Sequence, residues 1–245
     1  MMMQRFWGGF SFLKRGFAEI KSDKKMKLLV IIPLIIDIAI FIAAISFTLP
    51  LVPELIAVAL GYLFSSSEGF LYNLVYYPLW LLFGIVFLVA VSAATYFVAS
   101  VLASPFNALL AERVAEKAGV IPERPFQMGF FIKNSIKMLL VSLMRTTALV
   151  CIGLFLFILS FLPGVNLATS FIAFMLIAFD ASDYAMETLE YPLSKRFKFF
   201  RESFAEYAGM GAAVGLVMLI PGFIILCMPL AVVGSSQIVT ERKLL

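Results

Sequence analysis

The longest apolar segment of this chain runs from about Phe70 to Val101, and it restricts the possible folds more than any other feature. A second apolar run, from Leu28 to about Leu49, contains a single charged residue. A helix rises about 1.5 Å per residue, so about 20 apolar residues cross a hydrocarbon core of roughly 30 Å. The chain is 62% hydrophobic and 14% charged, a composition typical of membrane proteins rather than soluble ones. We predict an all-α integral membrane protein, a single membrane domain over residues 1–245, with transmembrane helices at 28–49 and 70–104.

The amino-terminal 25 residues have the pattern of an amphipathic helix. Their apolar residues recur at spacings of three and four, with charged residues mostly on other faces: Phe6, Phe10, Leu13, Phe17 and Ile20. This pattern is typical of a helix that lies in the membrane interface. We predict that residues 1–25 form an interfacial helix that contacts the lipid bilayer.

Two pairs of shorter apolar runs occupy the second half of the chain. Pro163-Gly164 separates a run ending at about Leu162 from one of 13 residues, and Pro221-Gly222 separates a similar pair. Runs of 10–14 residues are too short to span comfortably, and paired interrupted segments are typical of transport proteins. We predict two re-entrant helical hairpins, at 146–179 and 208–234. Four thin spanning helices remain the alternative.

The distribution of Lys and Arg predicts the orientation in the membrane. Residues 50–69 contain no Lys or Arg, whereas both ends of the chain and the region 105–145 are basic. The positive-inside rule then places both termini in the cytoplasm, with cytoplasmic or interfacial helices over 105–145. The basic residues lie beside apolar segments, so we predict no nucleic-acid partner.

The residue inventory argues against an enzyme. The chain contains no histidine and only two cysteines, Cys151 and Cys227, which lie singly inside apolar runs. A histidine-based triad or proton relay is therefore excluded, and neither cysteine has metal-ligand spacing. We predict no catalytic residue, no metal site and no cofactor.

The segment from Ala103 to Lys117 contains the strongest candidate site. Pro105 lacks a backbone N–H and disfavours helix at Ser104, so the long helix is predicted to break there and a new helix to begin. Such a helix start leaves unpaired N–H groups near Phe106, Asn107 and Ala108, which attract anions. The alternative is a polar elbow that merely ends a membrane helix.

Asp37 is the second candidate, because it lies near the middle of the first transmembrane segment. An ionisable residue at that depth is costly and often functional. The alternative is a protonated or hydrogen-bonded Asp between helices.

Several segments of the chain resemble one known family in order along the sequence. Pro105-Phe106-Asn107 with Leu109-Leu110-Ala111-Glu112 resembles a Pro-Phe-Asn-Gly-Leu-Leu-Ala-Glu motif. Ile32-Pro33-Leu34 before Asp37 resembles the start of that family's first spanning helix. Weaker matches lie at Tyr191-Pro192, Phe200-Arg201-Glu202, Leu219-Ile220-Pro221 and Met228-Pro229. The family is that of the bacterial CysZ sulfate transporters, within the wider EI24-type membrane proteins.

The resemblance implies two long spanning helices plus two partly inserted hairpins. It implies an inner-membrane transporter or channel for sulfate, which supplies cysteine synthesis, and a homo-oligomer. The implied sulfate site combines the central motif with basic residues before the first spanning helix: Asn107, Ala108, Leu109, Lys24, Lys25 and Lys27. Near it, charged residues facing a pore suggest a gate or selectivity network: Glu112, Arg113, Glu116 and Asp37.

This sequence departs from the family pattern at some of these positions. Ala108 stands where the family has Gly, and Asp37 replaces an Asn. Lys24, Lys25 and Lys27 stand near a pair of family arginines, and lysine supplies a point charge instead of a planar fork. An EI24-type membrane scaffold or remodelling protein without transport activity is therefore the alternative function.

Overall fold

In the computed structural model, residues 2–62, 69–123, 128–219 and 224–244 are described. All regular elements within these ranges are α-helices, which confirms the predicted all-α class. The helices are α1 (Met2–Phe10), α2 (Phe12–Ser22), α3 (Lys24–Thr48), α4 (Leu51–Gly61), α5 (Phe70–Lys117), α6 (Met128–Leu159), α7 (Asn166–Thr188), α8 (Leu193–Glu202), α9 (Phe204–Met218) and α10 (Ile224–Leu244).

Four helical segments among the described residues are long and apolar enough to cross a membrane: Lys24–Gly61, Phe70–Lys117, Ser142–Leu159 and Asn166–Thr188. Their large apolar side chains are mostly exposed, as expected for surfaces that contact lipid. Ile35, Val89 and Ile158 are examples, each more than half exposed. The chain is thus a multi-pass membrane protein by length and composition of its helices.

The chain divides into two compact units. The larger unit comprises residues 1–34 and 101–245, and the smaller unit comprises residues 35–100. In the smaller unit, α4 buries Val52, Ile56 and Leu60 against side chains of α5 that include Tyr72 and Tyr76. Residues 63–68, in the segment that lacks Lys and Arg, lie outside the described residues.

In the larger unit, α7 packs against α6, α9 and α10. The two amino-terminal helices pack on the same group, α1 against α9 and α2 against α10. Phe12, Met26 and Tyr207 are fully buried in this core. The predicted helix over residues 1–25 is therefore two helices divided at Ser11, and part of its apolar face is covered by protein.

Glycines allow the two backbones of each of these helix pairs to touch. A Cβ on Gly9 would lie 2.1 Å from the Glu206 carbonyl oxygen, and one on Gly209 would lie 2.0 Å from the Phe6 carbonyl oxygen. The α2–α10 pair repeats this reciprocal arrangement through Gly16 and Gly234. Small residues at helix contacts permit such close approach in membrane proteins.

The prediction of a helix break at Pro105 is wrong. Helix α5 continues through Pro105 to Lys117, so Phe106, Asn107 and Ala108 lie within a helix instead of at its start. Proline in a helix interior costs one hydrogen bond and strains the preceding turn, about 3 kcal/mol. Burial of Leu110, Ala111 and the following turn in the core offsets that cost.

Helix α5 ends instead at a glycine-capped turn. Gly119 has a φ of +70°, and the Val120 N–H donates to the Ala115 carbonyl at 3.0 Å. The Gly119 N–H donates to the Glu116 carbonyl at 2.9 Å. This pair of bonds is the Schellman motif, in which glycine adopts the left-handed conformation without steric cost.

The helices of the predicted hairpins are longer than the apolar runs on which the prediction rested. Helix α6 begins at Met128 instead of residue 146, and α7 extends to Thr188 instead of ending at residue 179. Gly164 lies in the turn between them with a φ of +83°. The Pro221-Gly222 turn of the second hairpin lies outside the described residues.

Candidate functional site

The carboxyl end of α5 meets the junction of α2 and α3 through charged side chains. The Arg113 Nε lies 3.2 Å from the Asp23 Oδ2, and its Nη1 lies 3.2 Å from carboxylate oxygens of Glu116 and Glu123. Lys117 pairs with Glu19 and lies 3.9 Å from Asp23. The central helix is therefore tied by ion pairs to the start of the first long helix.

Asp23 caps helix α3. Its Oδ1 accepts the Lys25 N–H at 2.8 Å and the Met26 N–H at 3.4 Å. Burial alone would raise the pKa of Asp23, but the two backbone N–H groups and the Arg113 guanidinium more than compensate, so the pKa lies below its usual value. The structure thus places a carboxylate at the N-terminus of α3, where helices attract anions.

Three of the predicted sulfate-binding residues surround this cap. Lys24, Lys25 and Lys27 lie in and just after the first turn of α3 with exposed side chains. Arg113 and Glu116, predicted as pore residues, belong to the same charged junction. Glu112 is half-buried and has its own interaction partner. The structure therefore brings two separately predicted groups of residues together.

The central-motif residues contact a different set of side chains in the larger unit. Asn107 is only 3% exposed, and together with Ser104 it is a hydrogen-bonding neighbour of the Tyr184 side chain. Ala108 packs against the core, and Leu109 is half-buried. Because α5 is continuous here, the backbone N–H groups of these residues do not form the predicted helix-start cradle.

The sequence reasoning missed a cluster of buried charges next to Tyr184. The Arg196 Nη1 lies 2.8 Å from both carboxylate oxygens of Asp183, and the Arg145 Nη1 lies 3.2 Å from its Oδ2. The Arg145 Nε lies 3.1 Å from Asp180. Both arginine side chains are only 16% exposed. We call Arg145, Arg196, Asp180 and Asp183 the arginine cluster.

Tyr184 joins the arginine cluster to the central motif. The Arg145 guanidinium lies over the Tyr184 ring, 4.0 Å from its centroid. Since the hydroxyl of the same ring neighbours Asn107, the predicted site residue and the two arginines lie in one region. A sequence signal existed: Asp180, Asp183 and Glu187 recur at helical spacing, and Arg145 stands alone at the start of an apolar run.

A second carboxylate with two arginines lies near the chain ends. Glu206 is 6% exposed, and its Oε1 accepts from Arg5 at 2.8 Å and from Arg242 at 2.6 Å. Its Oε2 is buried with no hydrogen-bond partner among the described residues. This interaction connects α1, α9 and α10 at the glycine contact between α1 and α9.

Asp37 lies in the smaller unit, within α3. Its Oδ1 is buried and has no hydrogen-bond partner in the described ranges. Burying a polar oxygen without a hydrogen bond in an apolar environment costs free energy. Asp37 therefore stays a candidate functional residue, separate from the contacts described for the larger unit.

The charged groups of the larger unit are suited to binding oxyanions. Arginine offers a planar set of N–H donors that matches carboxylate, phosphate and sulfate oxygens, and such charge-assisted bonds are strong when buried. In the arginine cluster and at Glu206, carboxylates of the chain itself occupy these donors.

Comparison with known proteins gives a consistent picture along nearly the whole chain. A protein named sulfate transporter CysZ from Pseudomonas fluorescens (strain Pf0-1) is 27% identical over 233 residues, covering 93% of this chain and 91% of the relative. A protein of the same name from Pseudomonas paraeruginosa (strain DSM 24068 / PA7) is 26% identical over 216 residues, covering 86% of each. A family model described as EI24: Sulfate transporter CysZ/Etoposide-induced protein 2.4 matches residues 12–229. The predicted resemblance is confirmed, and the chain belongs to the EI24 family.

Proposed function

We propose that this protein carries sulfate across the bacterial inner membrane, as a transporter or channel whose sulfate supplies cysteine synthesis. The observation that carries the proposal is structural: two arginines that suit an oxyanion, each only 16% exposed, lie beside the central motif. The similarity over most of the chain to two proteins named sulfate transporter CysZ supports the choice of sulfate.

The proposed sulfate contacts are those of the sequence analysis, with one change in their chemistry. Lys24, Lys25 and Lys27 present exposed ammonium groups at the start of α3, where they raise the local concentration of anions. Helix α5 has no start at Asn107, Ala108 and Leu109, so their backbone N–H groups do not bind sulfate. We assign these residues to the site because Asn107 lies beside Tyr184. Arg113 and Glu116, with Glu112 and Asp37, are the proposed pore and gating residues.

The proposed membrane arrangement has both termini in the cytoplasm, two long spanning helices and two re-entrant hairpins. The hairpin proposal is supported by α7, because its carboxyl half carries Asp180, Asp183 and Glu187 in ion pairs with arginine. Its apolar part, residues 167–179, is about 20 Å long at 1.5 Å per residue and does not match a hydrocarbon core of roughly 30 Å. We also propose a homo-oligomer in the lipid bilayer, with sulfate as its substrate and no nucleic-acid partner.

Uptake of radiolabelled sulfate into proteoliposomes containing the purified protein tests the function. We expect uptake above that of empty vesicles, reduced by Lys25→Gln with unchanged expression. The reduction is expected because Lys25 is one of three exposed ammonium groups that raise the local concentration of anions at the start of α3, and it should shrink as the ionic strength rises. Lys14→Gln is the matched control, because Lys14 is an exposed lysine on α2, away from the start of α3.

The competing function is a membrane scaffold without transport. It predicts no sulfate uptake by the wild-type protein, and that result would overturn the proposal. The amphipathic helix α2 buries Phe12, Leu13 and Ile20 against protein, and α1 packs on α9. This burial leaves less of their apolar surface for remodelling a bilayer.

A further inference from the structure

Two arginines whose side chains are only 16% exposed converge on the single carboxylate of Asp183. Arg196 reaches both oxygens of this carboxylate at 2.8 Å and also donates from its Nε to the Tyr191 carbonyl at 2.8 Å. Arg145 approaches the same carboxylate from α6 at 3.2 Å. Arginine keeps its proton in proteins, so each buried guanidinium needs an anionic partner.

This arrangement of donors is not specific for a carboxylate. Two guanidinium groups that bind neighbouring oxygens of one anion also fit two oxygens of a tetrahedral dianion, and the dianion carries twice the charge. Asp183 therefore occupies the position that an external oxyanion would take between Arg145 and Arg196.

Near Arg145, one buried side-chain group has no hydrogen-bond partner among the described residues. The Ser142 hydroxyl, one turn before Arg145 on the same side of α6, is buried and has no hydrogen-bond partner among the described residues. The Asp180 Oδ1, 3.1 Å from the Arg145 Nε, can only accept hydrogen bonds, so it stays paired with Arg145 and does not bind the anion. Buried polar groups are normally hydrogen-bonded, so an unpaired hydroxyl beside Arg145 needs an explanation, and a bound anion would supply its partner.

Helix α8, which carries Arg196, presents a basic surface beside this pair. This helix has no buried residue and carries Lys195, Arg196, Lys198 and Arg201 within seven positions. Lys195 lies over the Tyr191 ring, 3.7 Å from its centroid, next to the carbonyl that Arg196 binds. A basic surface of this kind raises the local concentration of anions.

We propose that Arg145 and Arg196 form an oxyanion site for which Asp183 is the resident ligand, and that sulfate binds there by displacing the Asp183 carboxylate. The inference rests on the proposed sulfate function and adds residues that the sequence analysis did not assign. Asp183 then acts as an internal competitor that keeps the two arginines paired when no sulfate is present.

Asp183→Asn removes the competitor and keeps the shape of the side chain. We expect the dissociation constant for sulfate, measured by calorimetry on purified protein at constant ionic strength, to fall by at least about tenfold, equivalent to about 1.4 kcal/mol. Sulfate should also raise the melting temperature of this variant more than that of the wild type. Glu241→Gln is the control, since it removes the carboxylate partner of Arg15 from an exposed ion pair and should leave the dissociation constant unchanged.

Arg196→Gln decides the question even if Asp183→Asn does not fold, because Asp183 keeps Arg145 as its partner. We expect its dissociation constant for sulfate to rise by at least about tenfold. A purely structural role for the cluster predicts a lower melting temperature with an unchanged dissociation constant, and that result would overturn the proposal. So would unchanged sulfate binding by a folded Asp183→Asn protein. Sulfate uptake by the wild type, measured in parallel, separates these failures from failure of the proposed function.

Discussion

Asp23 shows how one side chain connects a helix end to an ion-pair network. Its Oδ1 accepts N–H groups from the first turn of α3, and its Oδ2 pairs with Arg113 and Lys117. The two roles need different chemistry, because an amide oxygen also caps a helix whereas only a carboxylate pairs with cations. A single substitution can therefore separate them.

We predict that Asp23→Asn keeps the cap and loses the ion pairs. The pKa of Asp23 is lowered in the folded protein, so its contribution to stability is fully present above its unfolded pKa of about 3.9. That contribution is lost as pH falls through the lower, folded value. The difference in melting temperature between wild type and Asp23→Asn should then be constant from about pH 5 upward, begin to fall near about pH 4, and disappear only below the lower, folded pKa.

Asp23→Ala is the companion variant for this measurement. It removes the cap as well, and we expect it to be less stable than Asp23→Asn by about 1 kcal/mol at every pH. Equal stabilities of the two variants would show that the carboxylate does not cap α3. A pH-independent difference between wild type and Asp23→Asn would contradict the ion-pair role.

The amino-terminal helices are held by two reciprocal glycine contacts at the level of whole elements. In each pair, a glycine on one helix faces a backbone carbonyl of the other: Gly9 and Gly209 between α1 and α9, Gly16 and Gly234 between α2 and α10. Such contacts tolerate no side chain, so the identity of these residues sets the distance between the helices.

Gly9→Ala and Gly8→Ala provide a matched pair of adjacent substitutions in α1. A Cβ on Gly9 would lie 2.1 Å from the Glu206 carbonyl oxygen, whereas a Cβ on Gly8 meets nothing within 4 Å. We predict that Gly9→Ala destabilises the protein by about 1–3 kcal/mol, as overpacking typically does. Gly8→Ala should be neutral or stabilising by up to about 1 kcal/mol, because alanine favours helix.

Thermal unfolding of both variants in the same detergent checks this prediction. Equal melting temperatures for the two variants would mean that α1 does not pack against α9 at backbone distance. Disruption of the neighbouring ion pair between Arg5 and Glu206 should accompany the Gly9→Ala effect, since Glu206 supplies the facing carbonyl.

At the scale of the whole molecule, the depth of the hairpins in the membrane decides the topology. Helices α6 and α7 each contain a segment long and apolar enough to cross, yet α7 places its ion-paired acidic residues in its carboxyl half. Asn166, at the start of α7 beside the Gly164 turn, is the position that distinguishes a re-entrant hairpin from a pair of spanning helices.

We predict that Asn166→Cys, in a background lacking Cys151 and Cys227, resists an impermeant thiol reagent added to intact cells. The short apolar length before Asp180 keeps this turn inside the membrane. Glu54→Cys is the positive control, because Glu54 is exposed on α4 in the predicted periplasmic segment. Rapid labelling of Asn166→Cys would establish spanning helices instead.

The sequence determined the helical class and the positions of the long apolar helices, because hydrophobic length is a local property summed over about 20 residues. It also indicated the family through ordered motifs, of which the one at Pro105 is the most specific. The helix boundaries did not follow from local rules: the proline rule predicts a helix end at Pro105, whereas burial of Leu110 and Ala111 in the core extends α5 to Lys117.

Only the tertiary structure decided which charged residues meet. Arg145 and Asp183 are separated by 38 positions, and Arg5 and Glu206 by 201. Neither pairing follows from local periodicity, because it depends on how α1, α6, α7 and α9 pack. The same reason explains the glycine contacts: the sequence does not distinguish Gly9 from its neighbour Gly8, and only the approach of the α1 and α9 backbones gives Gly9 and Gly209 a role.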